Sequence, residues 1–117
     1  MKKFINNLKK LKKYNVVAVK QSLEDEGASF DEINLMRRIT KKAGLQHNIK
    51  VGGCEAKTDI FFCEREGVSG IVAPMVETSY GLRKFIQILR NNRSQNLYVN
   101  LESINAFKNI NKILKSH

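Results

Sequence analysis

Acidic side chains are the scarcer charge in this chain, 11 against 21 Lys and Arg, and they fall at particular places. Glu24-Asp25-Glu26, Glu55, Glu77 and Glu102 each follow or end a short run of β-branched and apolar residues. If those runs are parallel strands, each acid lies at the carboxyl edge of the sheet, where α/β folds bind ligands. Carboxylates gathered there either repel or share a cation, and with water and substrate oxygens they suit Mg²⁺ or Mn²⁺. Glu55 and Glu77 have a plainer reading, because a negative charge in a helix first turn gains from the dipole whether or not anything binds. Glu102 ends its run and lacks that explanation. Other chemistries are poorly served. Cys54 and Cys63 stand nine apart, without metal-ligand spacing, and are expected to be free thiols. His47 precedes its run and therefore belongs to a loop or strand edge at the opposite end of the sheet. No Gly-x-Gly-x-x-Gly or Gly-x-x-x-x-Gly-Lys-Ser/Thr motif follows a strand, which argues against dinucleotide or nucleoside-triphosphate binding, and Gly52-Gly53 alone is a weak signal.

The elements that must position these acids can be read from the same pattern. Strands are expected at 16–19, 49–51, 70–76 and 97–101, where β-branched and apolar residues cluster. Between them runs helical periodicity. Ser29-Phe30-Asp31-Glu32 is a capping box; Ile33, Met36, Arg37, Thr40 and Ala43 continue one face, and Gly44 offers a left-handed stop. A second crossover helix is expected from about 55 to 66, with Ile60 and Cys63 inward and Gly67 at its end. A third uses Leu82, Phe85, Ile86 and Leu89 and stops near Asn91-Asn92. A last one carries Ala106, Phe107, Ile110 and Leu114. Each spacing between strands holds one crossover helix, so the strands should be parallel with right-handed connections. Their near-continuous apolar character predicts that both faces of the sheet are covered.

At 117 residues, 42% hydrophobic and 27% charged, the chain has the composition of one soluble globular domain. It contains no transmembrane or secretory apolar segment, so a cytoplasmic location is expected. The net charge of +10 is uneven: six of the basic residues lie in Met1 to Tyr14, which holds no acid. That segment places Phe4, Ile5, Leu8 and Leu11 at helical spacing among lysines. We read residues 1–14 as an amphipathic helix flanking the domain of residues 15–117. Phe4, Leu8 and Leu11 should pack inward with the lysines in solvent, and neither nucleic acid nor membrane is an expected partner, since no Arg accompanies these lysines.

Two consecutive stretches carry a family resemblance. Gly67-Val68-Ser69-Gly70-Ile71-Val72-Ala73-Pro74-Met75-Val76-Glu77 is similar to the Gly-Val-x-Gly-apolar-x-x-Pro-x-Val-Glu strand of the HpcH/HpaI aldolase/citrate lyase family, within the phosphoenolpyruvate/pyruvate barrel superfamily. Val99-Asn100-Leu101-Glu102-Ser103, with its sequel from Ala106 to Ile113, resembles that family's next strand, apolar-x-apolar-Glu-Thr, and the Ala-x-x-Asn-x-Asp-x-Ile that follows. The resemblance extends over roughly Val16 to Leu114. It implies an α/β fold in which about four parallel βα units form part of a TIM (β/α)8 barrel, preceded by the amphipathic helix.

What the resemblance implies for chemistry follows residue by residue. Glu102 takes the position of the family's metal-binding glutamate, so the expected cofactor is Mg²⁺ or Mn²⁺. The aspartate that completes that site would fall after His117 and has no counterpart in this chain. Lys50 stands where an arginine normally steadies the oxygen of a pyruvate-like enolate; it keeps the charge and loses the bidentate fork. Glu26, or its neighbour Asp25, falls where some members carry an acid-His pair for proton transfer, a role that would need a pKa raised toward neutrality. The implied activity is metal-assisted carbon–carbon cleavage or aldol addition on a 2-oxo acid or acyl-CoA substrate. A Schiff-base aldolase on Lys20 or Lys50 is a rival route. A different class of reading is a non-catalytic fragment or half-barrel that pairs with a second copy or a complementary half, because four strands cannot close a barrel that needs eight.

Overall fold

The computed structural model describes residues 1–89 and 94–116. Helix α1 (Lys2–Leu11) runs into a 3₁₀ turn at Lys12–Tyr14, and four strand-helix units follow: β1 (Ala18–Ser22), α2 (Phe30–Ala43), β2 (Gln46–Lys50), α3 (Lys57–Glu66), β3 (Gly70–Ala73), α4 (Ser79–Ile88), β4 (Asn96–Val99), and the short helices α5 (Ile104–Lys108) and α6 (Ile110–Leu114). The described strands form one sheet in the order β1-β2-β3-β4, and every pairing is parallel. The parallel α/β expectation therefore holds.

Local signals account for the helix limits. Around Ser29 the capping box closes as the sequence requires, with Glu32 N–H donating to Ser29 Oγ and Ser29 N–H to the Glu32 carboxylate, both at 3.1 Å. Gly44 then ends α2 at φ 73°, a conformation that costs an L side chain roughly 1 kcal/mol or more. Thr78 caps α4 through Gly81 N–H at 3.0 Å, and Ser103 caps α5 through Ala106 N–H at 3.0 Å. The expected single last helix is instead two, broken at Asn109. There the Asn109 amide donates to the Glu77 carbonyl at 2.9 Å, and this tie to the β3–α4 loop bends the chain. The expected end of the third crossover helix, near Asn91-Asn92, lies outside the described residues.

Strand limits shift in both directions. β1 and β2 take in polar residues, Lys20-Gln21-Ser22 and Gln46-His47-Asn48, whereas β3 and β4 end before the apolar run does. Strand limits follow pairing between neighbours, whereas apolar runs follow burial, and here the sheet is covered on one side. Consecutive strand order with right-handed crossovers puts every crossover helix on the same face. On that face Ile49, Val51, Ile71 and Ala73 pack with Ile33 of α2, Ile60 and Cys63 of α3, Leu82 and Phe85 of α4, and Ile113 of α6. The register rows Lys20–Asn48–Gly70–Asn96 and Ser22–Lys50–Val72–Tyr98 make up the other face, which is largely polar. The expectation that both faces are covered is thus corrected.

The amino-terminal helix also departs from expectation. α1 docks on α2 through Ile5 and Leu8, which join Ile39, Ala43 and Leu45. Its lysines are exposed as expected, but Phe4 and Leu11 remain 44% and 42% exposed. One helix lying on one neighbour buries a stripe about one side chain wide, and the apolar face of α1 is broader than that.

Candidate active site

Parallel strands deliver all their carboxyl ends to one edge, and here that edge forms a cleft of about 460 Å³. Glu24 and Asp25 enter it from the β1–α2 loop, Lys50 from the last position of β2, Gly52, Gly53 and Cys54 from the β2–α3 loop, Pro74 and Met75 from the β3–α4 loop, and Glu102 from the β4–α5 connection. Lys50 and Glu102, chosen on separate strands, do come together. Glu102 lies three residues beyond β4 rather than on its last position, a correction to the expected strand limit that leaves it at the same edge.

Lys50 is the cleft's cation. Its side chain is 14% exposed and ion-paired with Asp25, whose backbone N–H is tied to Ser22 Oγ at 3.1 Å. The hydrogen bond to Asp25 holds the Lys50 ammonium above its ordinary pKa, with the charges of Asp25, Glu102 and Glu26 acting in the same direction against partial desolvation. A Schiff-base lysine needs its amine neutral, so this environment disfavours that route at Lys50. Reciprocally, the hydrogen bond and charge of Lys50 hold the Asp25 carboxyl below its ordinary range. That is the opposite of what a proton donor near neutrality requires, and Asp25 is set aside for that role.

Glu26 does not line the cleft. It is exposed and pairs with Lys20 at 3.9 Å. Glu77, a further acid of the same edge, is likewise engaged elsewhere: its carboxylate accepts from Ser103 Oγ at 2.8 Å and joins the β3–α4 loop to the start of α5. Glu102 accepts the Met75 N–H at 3.0 Å through one oxygen. Met75 has φ 51°, uncommon for a residue with a side chain. Its loop is also fixed by Val76 N–H to the Asn100 carbonyl at 3.1 Å and Asn100 N–H to the Ala73 carbonyl at 3.0 Å. Glu102 therefore already does structural work on the cleft's rim.

A resident metal is not well served by this set. Among the described residues no group of three His, Cys, Asp or Glu side chains is placed to hold an ion. Glu102 fits as a single ligand, the rest of the shell falling to water and substrate oxygens, which Mg²⁺ accepts.

One feature of the site was not read from sequence. Asp59, in the first turn of α3, accepts the Gly52 N–H at 2.9 Å. A Cβ on Gly52 would stand 2.5 Å from Glu24 Oε2 and 3.2 Å from Asp59 Oδ2, so glycine lets two carboxylates close on the backbone. The Gly-Gly pair was the available signal. His47, expected in a loop or at a strand edge, lies within β2 and is wholly buried, and its Nε2 meets Gln21 Oε1 at 2.7 Å. It sits at the amino end of the strand, away from the cleft. Both cysteines are free. No helix among the described residues is long and apolar enough to cross a membrane. No protein-family model matches the chain, and no curated protein matches it.

Proposed function

We propose that the chain is part of a (β/α)8 barrel of aldolase/citrate lyase type, and that its cleft handles an enolate of pyruvate or acyl-CoA type during carbon–carbon cleavage or aldol addition. The observation that supports it is the convergence of Lys50 and Glu102 on one cleft at the carboxyl edge. In cleavage, the electron pair of the breaking bond moves into the enolate, and charge develops on the oxygen of the 2-oxo or thioester carbonyl. A fixed cation at that oxygen stabilises the transition state more than the ground state. Lys50 is the group to do so. Because Asp25 already holds Lys50, substrate has to share or displace that partner, and a single ammonium gives less orientation than a guanidinium fork.

Mg²⁺ or Mn²⁺, when bound, would supply Lewis-acid polarisation of the same oxygens, with Glu102 as its protein ligand. The isolated chain should therefore bind either ion weakly. The test is a lyase assay on 2-oxo acid and acyl-CoA aldol substrates with Mn²⁺, alongside calorimetric titration of the ion. Lys50→Met is expected to lower any turnover by a factor of about 100 or more, the scale of losing one oxyanion donor, and Glu102→Gln to abolish the residual Mn²⁺ heat. Turnover unaffected by Lys50→Met, or tight Mn²⁺ binding unaffected by Glu102→Gln, would overturn the reading.

A second reading rests on a different observation. Among the described residues β4 has a strand partner on one side only, and beside it lies an apolar groove of about 370 Å³ between α4, β4 and α6. This favours a half-barrel whose role depends on pairing, with a second copy as the simplest partner.

A further inference from the structure

The exposed face of α1 combines two properties that the cleft does not use. Phe4 and Leu11, seven apart and so on one face of α1, are left exposed by the docking on α2. Lys3 and Lys10 have the same spacing and flank that face across Asn7. Among the described residues no ion pair neutralises any of them; the two pairs present join Lys20 to Glu26 and Lys50 to Asp25. Lys12 stands apart, its ammonium placed 2.8 Å from the position of a Cβ on Gly44 at the carboxyl end of α2, where a cation suits the helix dipole.

We propose that this exposed face of α1 is a peripheral docking site for an anionic lipid bilayer, with Phe4 and Leu11 entering the interface and Lys3 and Lys10 meeting lipid phosphates and carboxylates. Charge complementarity selects the partner. Lysines carry their ammonium to the headgroups on a flexible apolar stem, and an apolar stripe bordered by lysines is the form of an interfacial helix. A nucleic acid would satisfy the two lysines and leave Leu11 without a gain, and no guanidinium, the plane its readers lay on bases, stands on this helix. Attachment of this kind needs no spanning helix, and it does not depend on the activity assigned to the cleft.

The experiment is co-sedimentation of the full chain with phosphatidylcholine vesicles, with and without phosphatidylserine, and titration against a fluorescent oligonucleotide. Binding is expected only with phosphatidylserine. Lys3→Gln with Lys10→Gln should weaken it roughly 25-fold, about fivefold for each basic residue at an anionic surface. Phe4→Ser with Leu11→Ser should weaken it by about tenfold or more. All four side chains are exposed, and an unchanged circular dichroism spectrum verifies the fold of each variant. Equal binding to both vesicle types, binding that Phe4→Ser with Leu11→Ser leaves intact, or capture of the oligonucleotide without binding to phosphatidylserine vesicles would each overturn the proposal.

Discussion

His47 shows what a single buried residue does to the chain's response to acid. Its Nε2 faces Gln21 Oε1, an acceptor, so the proton of the neutral ring sits on Nε2 and Nδ1 is left as a buried nitrogen without a partner. Protonating Nδ1 would bury an N–H with no acceptor in a site already disfavoured by burial and by the Arg37 charge, which together lower the pKa to about 4. The folded-state pKa lies below the unfolded value near 6.5, so the unfolded chain binds the proton first. Stability from this site is complete above pH 6.5 and falls as the pH drops toward 4, by about 3 kcal/mol at most. Urea denaturation at a series of pH values should show that slope in the parent chain and lose much of it in His47→Met. Identical slopes in the two proteins would refute it. The sequence placed His47 in a loop or at a strand edge, at the end of the sheet opposite the cleft, because it precedes the apolar run at 49–51; it does lie at that end, but pairing with β1 carries β2 back through it, which no local pattern announces.

Elements were legible where their signals are local. α2 was readable end to end because a capping box, an apolar stripe and a left-handed glycine stop all lie within sixteen residues, 29–44. β1 and β2 were misplaced by two or three residues because hydrophobic clustering marks burial, while strand limits follow pairing, and pairing in this sheet extends into Lys20, Ser22 and Asn48. The split between α5 and α6 depends on Asn109 reaching Glu77, a contact thirty-two residues away in sequence. Glu102 was placed at this edge by its position after the fourth apolar run together with the resemblance, and Lys50 by the resemblance alone; both line the one cleft, whereas the pairing of Asp25 with Lys50 was not legible, since it depends on how the β1–α2 loop folds back. Energetically the elements are unequal. Ser29→Ala removes a cap at an exposed helix start and should cost about 1 kcal/mol. Phe85→Ala empties a fully buried site between α4 and the sheet and should cost about 3–5 kcal/mol. Equal shifts of the urea midpoint in the two variants would contradict this division between local capping and core packing.

At the scale of the whole molecule, the sheet ends in a strand that has not been made safe. Natural edge strands are kept short, charged, bulged or covered. β4 is short, yet its exposed side chains include Leu97 and Tyr98, and the chain that follows exposes Leu101, Ile104 and Phe107, the last at 75%. The neighbouring groove is lined by Leu82, Phe85, Ile86 and Leu97 among others, with no charged residue. Patches of several hundred Å2 rarely stay bare in water, and a two-fold axis beside an edge strand lets the same patch serve both copies. We expect the chain to self-associate through β4 and this groove. The net charge of +10 opposes that encounter, so added salt, by screening the repulsion, should strengthen it, the opposite of its effect on a lipid-bound chain. Light scattering coupled to size-exclusion chromatography over a range of concentrations decides the matter. The parent chain should exceed its 13.4 kDa monomer mass increasingly with concentration and salt, whereas Leu97→Lys with Phe107→Lys should return it to that mass. A parent chain that stays monomeric at every concentration and salt level would show that the β4 edge is not self-complementary, and the pairing reading would then require a partner other than this chain.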